Sequence, residues 1–278
     1  MQIGIRLHDS FKTGFEERLH IVHEQGFKCI HLAMGKIEGL SWDNSALTPG
    51  YASYIKKAFQ KEDLDVAVLG CYLNLGNPDV PALNTILAKY YANIRFASMI
   101  GAGVLGTETG NTNPEYKYDI YDTFSGRSLK TFTDNLSKVI EAAEKFGVTV
   151  AIEPVWKHIV STPERALKVL NEISSPNLGI ILDPVNLIPP DKYNERNELI
   201  KNAIQLLGES ISTIHIKDCH LVNDSVVSCA AGTGDMDYTD ILEFIKKNKP
   251  YIHVTLENTL PENAETSRIY LENLYNEI

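Results

Sequence analysis

Four runs decide the fold of this chain: Val148-Thr-Val-Ala-Ile-Glu153, Leu178-Gly-Ile-Ile-Leu-Asp183, Ile211-Ser-Thr-Ile-His215 and Ile252-His-Val-Thr-Leu-Glu257. Each is short, rich in β-branched residues and nearly free of charge, the pattern of a strand buried on both faces. Each ends in a group that can hold a hard metal ion or move a proton. The four ends lie 30, 32 and 42 residues apart, one strand-helix unit or slightly more. If the strands are parallel neighbours, Glu153, Asp183, His215 and Glu257 meet at one end of the sheet. That arrangement predicts a metal-dependent active site.

Strand-like and helix-like stretches alternate along the whole chain. Strands are predicted at 2–7, 28–33, 65–72, 103–108, 148–153, 178–183, 211–217 and 252–257. Amphipathic stretches lie at about 14–25, 49–61, 81–100, 124–146, 163–173, 194–207, 238–247 and 264–276. Asp134 to Phe146 has helical spacing of its apolar positions, with Gly147 as a stop. Thr162-Pro163 is a helix start, Thr as cap and Pro at the first position. Eight β-then-α units without a composition break predict an α/β fold, a single closed (β/α)8 TIM barrel over 1–278. The longest loops, 109–123, 184–193 and 218–236, all follow strands, on the face where such barrels do chemistry.

Composition narrows the partners. The chain has 278 residues, a net charge of −10 and a pI near 5.3. A duplex-binding protein normally offers a basic stripe, so nucleic acid is disfavoured. No apolar run reaches the roughly 20 residues of a membrane span. The opening Met1 to His8 reads as a strand, not a signal peptide. Cys29, Cys71, Cys219 and Cys229 form no CxxC pair, so they are expected to be buried thiols. A cytoplasmic, reduced protein is the expectation. Three carboxylates and one imidazole make an oxygen-rich site that suits Mn²⁺, Mg²⁺ or Co²⁺ and is compatible with Zn²⁺.

Ala151-Ile-Glu153-Pro154, Leu182-Asp183-Pro-Val-Asn186, Ile214-His215-Ile-Lys217-Asp218 and Leu256-Glu257-Asn258 resemble the sugar phosphate isomerase/epimerase family. This group of xylose isomerase-like TIM barrels includes ketose 3-epimerases and inosose dehydratases. Gly70-Cys-Tyr-Leu-Asn74 and Gly106-Thr-Glu108-Thr-Gly110 extend the likeness into the first half. The resemblance implies that Glu153, Asp183, His215 and Glu257 bind one divalent cation, and that Glu153 and Glu257 double as catalytic proton-transfer groups. Relatives of the endonuclease IV type carry Asp-x-x-His after the sixth strand, where this chain has Asn186. Together with the acidic charge, that demotes phosphodiester cleavage.

The expected reaction is ketose 3-epimerase-like, with a small-molecule sugar or sugar phosphate as partner. A cation chelating the carbonyl and its neighbouring hydroxyl would stabilise an enediolate. One glutamate would remove the α-proton and the other would return it to the opposite face. An inosose-type dehydratase and a non-catalytic sugar-binding barrel remain as alternatives. His8, Tyr72, Asn74, Glu108, Asn186 and Lys217 are expected to contact the substrate. For His8 a loop ion pair competes with that role, and for Lys217 an internal salt bridge does. Trp156 and Lys157 are candidates for the pocket wall, and Ala231 to Asp237 for a phosphate-binding helix start. Barrels of this kind often pair, so a homodimer is compatible with the chain. Gly101-Ala-Gly103-Val-Leu-Gly106 matches GxGxxG but leads from a helix into a strand, the reverse of a dinucleotide site.

Overall fold

The computed structural model describes residues 1–278. The strands are β1 (Gln2–Arg6), β2 (Cys29–Leu32), β3 (Asp65–Gly70), β4 (Val104–Glu108), β5 (Val150–Glu153), β6 (Leu178–Leu182), β7 (Ile211–Ile216), β8 (Asp218–Val222), β9 (Ser225–Cys229) and β10 (His253–Leu256). The helices are α1 (Phe15–Glu24), α2 (Pro49–Lys61), α3 (Val80–Ile100), α4 (Ile120–Thr123), α5 (Gly126–Phe146), α6 (Pro163–Ile173), α7 (Arg196–Leu207), α8 (Thr239–Asn248) and α9 (Ala264–Glu277).

Eight strands close into a barrel in the order β1-β10-β7-β6-β5-β4-β3-β2, every neighbour parallel. Because all run the same way, their C-terminal ends form one rim. Register then sets the neighbours there: Glu108 beside Glu153, and Arg6 beside His31. A small apolar cluster that includes Ala67, Val68, Ala151 and Ile181 packs on the strands. A much larger apolar layer joins the strands to the helices.

Local chemistry explains the helix limits. Thr162 Oγ1 accepts from Arg165 N ahead of Pro163, and Asp79 caps α3 through Ala82 N. Gly147 ends α5 in the left-handed region at φ 63°, where glycine bears no Cβ penalty. The 124–146 stretch is shorter than expected at its start. Asp119 caps the separate turn α4, and Ser125 then caps α5.

The loop 218–236 also differs from expectation, since β8 and β9 form an antiparallel hairpin there. Asn223 and Asp224 take φ of 48° and 56°, the left-handed pair a tight two-residue turn demands. The sequence Gly101 to Gly106 does run from the end of α3 into β4, as its rejection as a dinucleotide motif requires.

Gly4 sits where β1 meets β2, and a Cβ there would lie 2.1 Å from the Cys29 carbonyl oxygen. Backbone cannot yield cheaply, so Gly4→Ala is expected to cost about 1–3 kcal/mol of stability. Thermal or denaturant unfolding of the variant checks this.

Candidate active site

The rim gathers buried charge. Glu153 ends β5, Asp183 follows β6, His215 lies in β7 and Glu257 follows β10. All four are buried, Asp183 and His215 with no exposed surface. His215 Nδ1 lies 3.2 Å from Glu257 Oε1 and 3.5 Å from Glu153 Oε2, yet neither ring nitrogen makes a hydrogen bond. Lys217 Nζ lies 2.7 Å from Asp183 Oδ2 and 3.2 Å from Glu257 Oε2. Thus the three carboxylates converge on two basic side chains, His215 in β7 and Lys217 just after it.

The charges respond to this crowding. Burial, with Glu257 and Glu153 adding, pushes Asp183 up to about 6 against the pull of Lys217. Burial opposes a charged Glu257, but Lys217, His215 and Arg6 hold its carboxyl well below the usual range. Burial likewise opposes a charged His215, and Glu257 and Glu153 lift it to about 9. Lys217 is held above its ordinary value by Asp183 and Glu257, again against burial. Burial and then Glu153 raise Glu108 to about 7. Such a cluster attracts positive charge.

Possible ligand atoms form two overlapping groups, Glu153 with Asp183 and His215, and His31 with His215 and Glu257. Within each, one atom per residue lies within 4.8 Å of the others. The donor set of carboxylate oxygens and imidazole nitrogens fits a hard divalent cation, and one of the two unpartnered nitrogens of a neutral His215 is an orphan that such an ion would satisfy.

Other side chains hold the carboxylates in place. Asn186 Nδ2 donates to Glu153 Oε1 at 2.6 Å, and Tyr72 Oη donates to Glu153 Oε2 at 3.4 Å. The Asn186 backbone N–H donates to Asp183 Oδ1 at 3.0 Å. Arg6 bridges Asp9 and Glu257 at 2.7 and 3.4 Å. A cavity of about 330 Å³ opens on the cluster, lined by Tyr72, Glu108, Glu153, Asn186, Lys217 and Glu257 among others. His8 also faces it, kept neutral with a pKa of about 3 by burial and by Arg6 and Lys36.

Several expected contacts lie elsewhere. Asn74 does not line the cavity; its Oδ1 accepts from Gly76 N and Asn111 N, and its Nδ2 donates to the Asn113 carbonyl. Its amide is spent tying two loops together. Asp218 is similarly engaged, accepting from the N–H groups of Cys219, Gly232 and Met236. Those bonds use two of the N–H groups in the 231–237 segment. Trp156 packs edge-on against Tyr118, ring centroids 5.7 Å apart, and lines an outer groove.

Sequence reasoning missed His31 and Lys36. His31 is buried between Tyr72 and His215, with ring centroids 5.6 and 5.2 Å away and near-parallel planes. The available signal was an imidazole inside the apolar run Cys29-Ile-His-Leu32, one that does not end its run as His215 does. Lys36 enters from the loop after β2, where nothing in the pattern marks it.

Comparison with known proteins gives the context. A family model described as xylose isomerase-like TIM barrel matches residues 19–274. A 3-oxo-isoapionate decarboxylase of Pectobacterium atrosepticum is 29% identical over 140 residues, 47% of this chain and 48% of that protein. The chain is thus matched over about half the length of that relative. Among solved structures, the apo 3-keto-D-glucoside 4-epimerase YcjR from E. coli superposes with a TM-score of 0.75 at 17% identity, covering 98% of this chain and 99% of that one. The IolI protein with a bound zinc atom gives 0.74 at 18% identity, covering 99% and 98%. No helix of the chain is long and apolar enough to cross a membrane.

At the edge of the rim, His158 is buried and held at about 4 by that burial, with Lys157 adding. An unfolded imidazole titrates near 6.5, so the unfolded chain takes up this proton first as pH falls. The contribution of His158 to stability is complete above about pH 6.5 and is lost between there and about pH 4. The Tm of wild type minus that of His158→Gln is expected to be constant above about pH 7 and to shrink as pH falls from about 6.5 to 4. Thermal unfolding across that pH range measures it.

Proposed function

This chain belongs to the xylose isomerase-like TIM barrel family, and on that premise we propose that it is a divalent-metal-dependent sugar or sugar-phosphate epimerase or isomerase of the ketose 3-epimerase type. One observation carries the reading. Two buried glutamates from the non-adjacent strands β5 and β10 approach the same imidazole nitrogen, 3.5 and 3.2 Å away, at the bottom of a sugar-sized cavity. The epimerase and the zinc-bound protein among the structural relatives support it.

Glu153, Asp183, His215 and Glu257 would hold the cation, with His31, stacked on His215, as a further ligand candidate. The cation would supply Lewis-acid polarisation of a carbonyl and its neighbouring hydroxyl. The side chains do the rest. Glu153, fixed by Asn186 and Tyr72, is placed to take a proton from carbon. Glu257, approached from the β10 side and flanked by Arg6 and Lys217, would return one to the opposite face after taking up a proton from solvent. Transfer between the two through an enediolate inverts the centre, and each positioned group contributes about 10²–10⁴-fold.

A second reading keeps the enolate and changes its fate. The decarboxylase relative favours a reaction that reaches the enolate by loss of CO₂ and then protonates it; an inosose-type dehydratase would form the enolate by proton removal and expel a hydroxyl from it. Product mass separates the two outcomes.

Two measurements follow. Glu153→Gln, with cation supplied, is expected to lower exchange of the substrate's α-carbon proton with deuterated solvent by at least about 10²-fold, read by NMR. Exchange at the wild-type rate would remove Glu153 from the proton path. Titration with Mn²⁺ is expected to show one site per chain, lost in Asp183→Ala and retained in Asn74→Ala.

A further inference from the structure

The cavity at the rim does not end at Glu108. A second chamber of about 370 Å³ adjoins the first, and the two share Glu108 and Asn186 as a common wall. Tyr116, Tyr118, Lys157 and His158 line the far part. His158 is 4% exposed, and its Nδ1 has no hydrogen-bond partner. Glu108 Oε2 lies 3.7 Å from that nitrogen, too far for a bond. Tyr116 stands edge-on to the same ring, centroids 5.3 Å apart, and donates its hydroxyl to Glu108 Oε2 at 3.2 Å. A buried imidazole nitrogen left unpaired is costly unless something enters to meet it.

We propose that the second chamber is a substrate subsite for a neutral, hydroxyl-bearing group of about the size of a sugar ring, recognised by Glu108, Tyr116 and His158. The proposal rests on the sugar reading of the first chamber and names what lies beyond it. The two chambers are of similar volume, so the site as a whole admits a two-ring ketose. Charge selects against phosphate in the far part. Lys157 is its one cation, and Glu108 faces inward, whereas phosphate sites gather several cationic or N–H donors. A carboxyl, a phenol and a neutral imidazole together offer both donors and acceptors, which is what a hydroxyl requires. Burial keeps His158 neutral, with a pKa of about 4.

The test uses the full chain loaded with Mn²⁺ and three probes: D-fructose, D-fructose 6-phosphate and the two-ring ketose lactulose. Calorimetric binding is measured for wild type, Tyr116→Phe and His158→Gln. Lactulose is expected to bind wild type more tightly than D-fructose. Each variant is expected to weaken lactulose about three- to tenfold more than D-fructose, the effect of one lost hydrogen bond. Tyr116→Phe removes one oxygen and covers the case in which His158→Gln fails to fold. Tightest binding of D-fructose 6-phosphate, an unaltered lactulose-to-fructose ratio in the variants, or no binding of any probe would overturn the proposal. Solvent exchange at carbon, followed on the same samples, reports separately on the proton-transfer reading. Chamber-dependent binding without exchange overturns that reading and sustains the subsite; exchange without chamber dependence does the reverse.

Discussion

The structure depends on balancing three buried carboxylates at the mouth of the barrel. Glu153, Asp183 and Glu257 are each at most 5% exposed. Removing an ion from water costs several kcal/mol even after the protein relaxes. Negative charge at this density therefore requires positive charge within contact distance. The chain supplies His215 and Lys217 from β7 and its following residue, and Arg6 from β1. Parallel strands make this concentration unavoidable, because every strand end arrives at the same rim. A site that already draws an imidazolium and an ammonium inward is chemically suited to a small divalent cation.

The two glutamates are not equivalent, and the difference comes from their neighbours. Glu257 is pressed by Lys217, His215 and Arg6, which favour its ionised form. Glu153 is instead fixed through hydrogen bonds from the neutral donors Asn186 and Tyr72. A reaction that takes a proton on one side of a carbon and delivers it on the other needs one carboxylate ionised and the other protonated, so Glu257 would have to take up a proton against its cationic neighbours before delivering one. Asn186, bonded to Glu153 Oε1 at 2.6 Å, fixes the orientation of that carboxylate.

Much of the rim was legible in the sequence because each of the four principal groups ends an apolar run. The period of the pattern gave strands, and the order of strands and helices gave the closed barrel. His31 escaped because it lies inside its strand, where an imidazole looks like one more core residue. Asn74 was placed near the site because it follows β3, but strand position does not say which way a loop side chain turns. Its amide turned to the backbone of Gly76 and Asn111. The hairpin β8–β9 was hidden because Asn223-Asp224 is a turn signal only when its flanks pair. The second chamber was out of reach for a related reason. It is built where the loops after β4, β5 and β6 meet, and loop contacts leave no period to read.

A Mn²⁺-soaked crystal, read by anomalous scattering, tests whether the carboxylate cluster is a cation site. The account predicts one Mn²⁺ per chain, within about 2.0–2.3 Å of oxygen or nitrogen atoms of Glu153, Asp183, His215 and Glu257, with the Lys217 ammonium displaced from between Asp183 and Glu257. A cation bound away from these four residues, or no cation with Lys217 still in contact with both carboxylates, would contradict it.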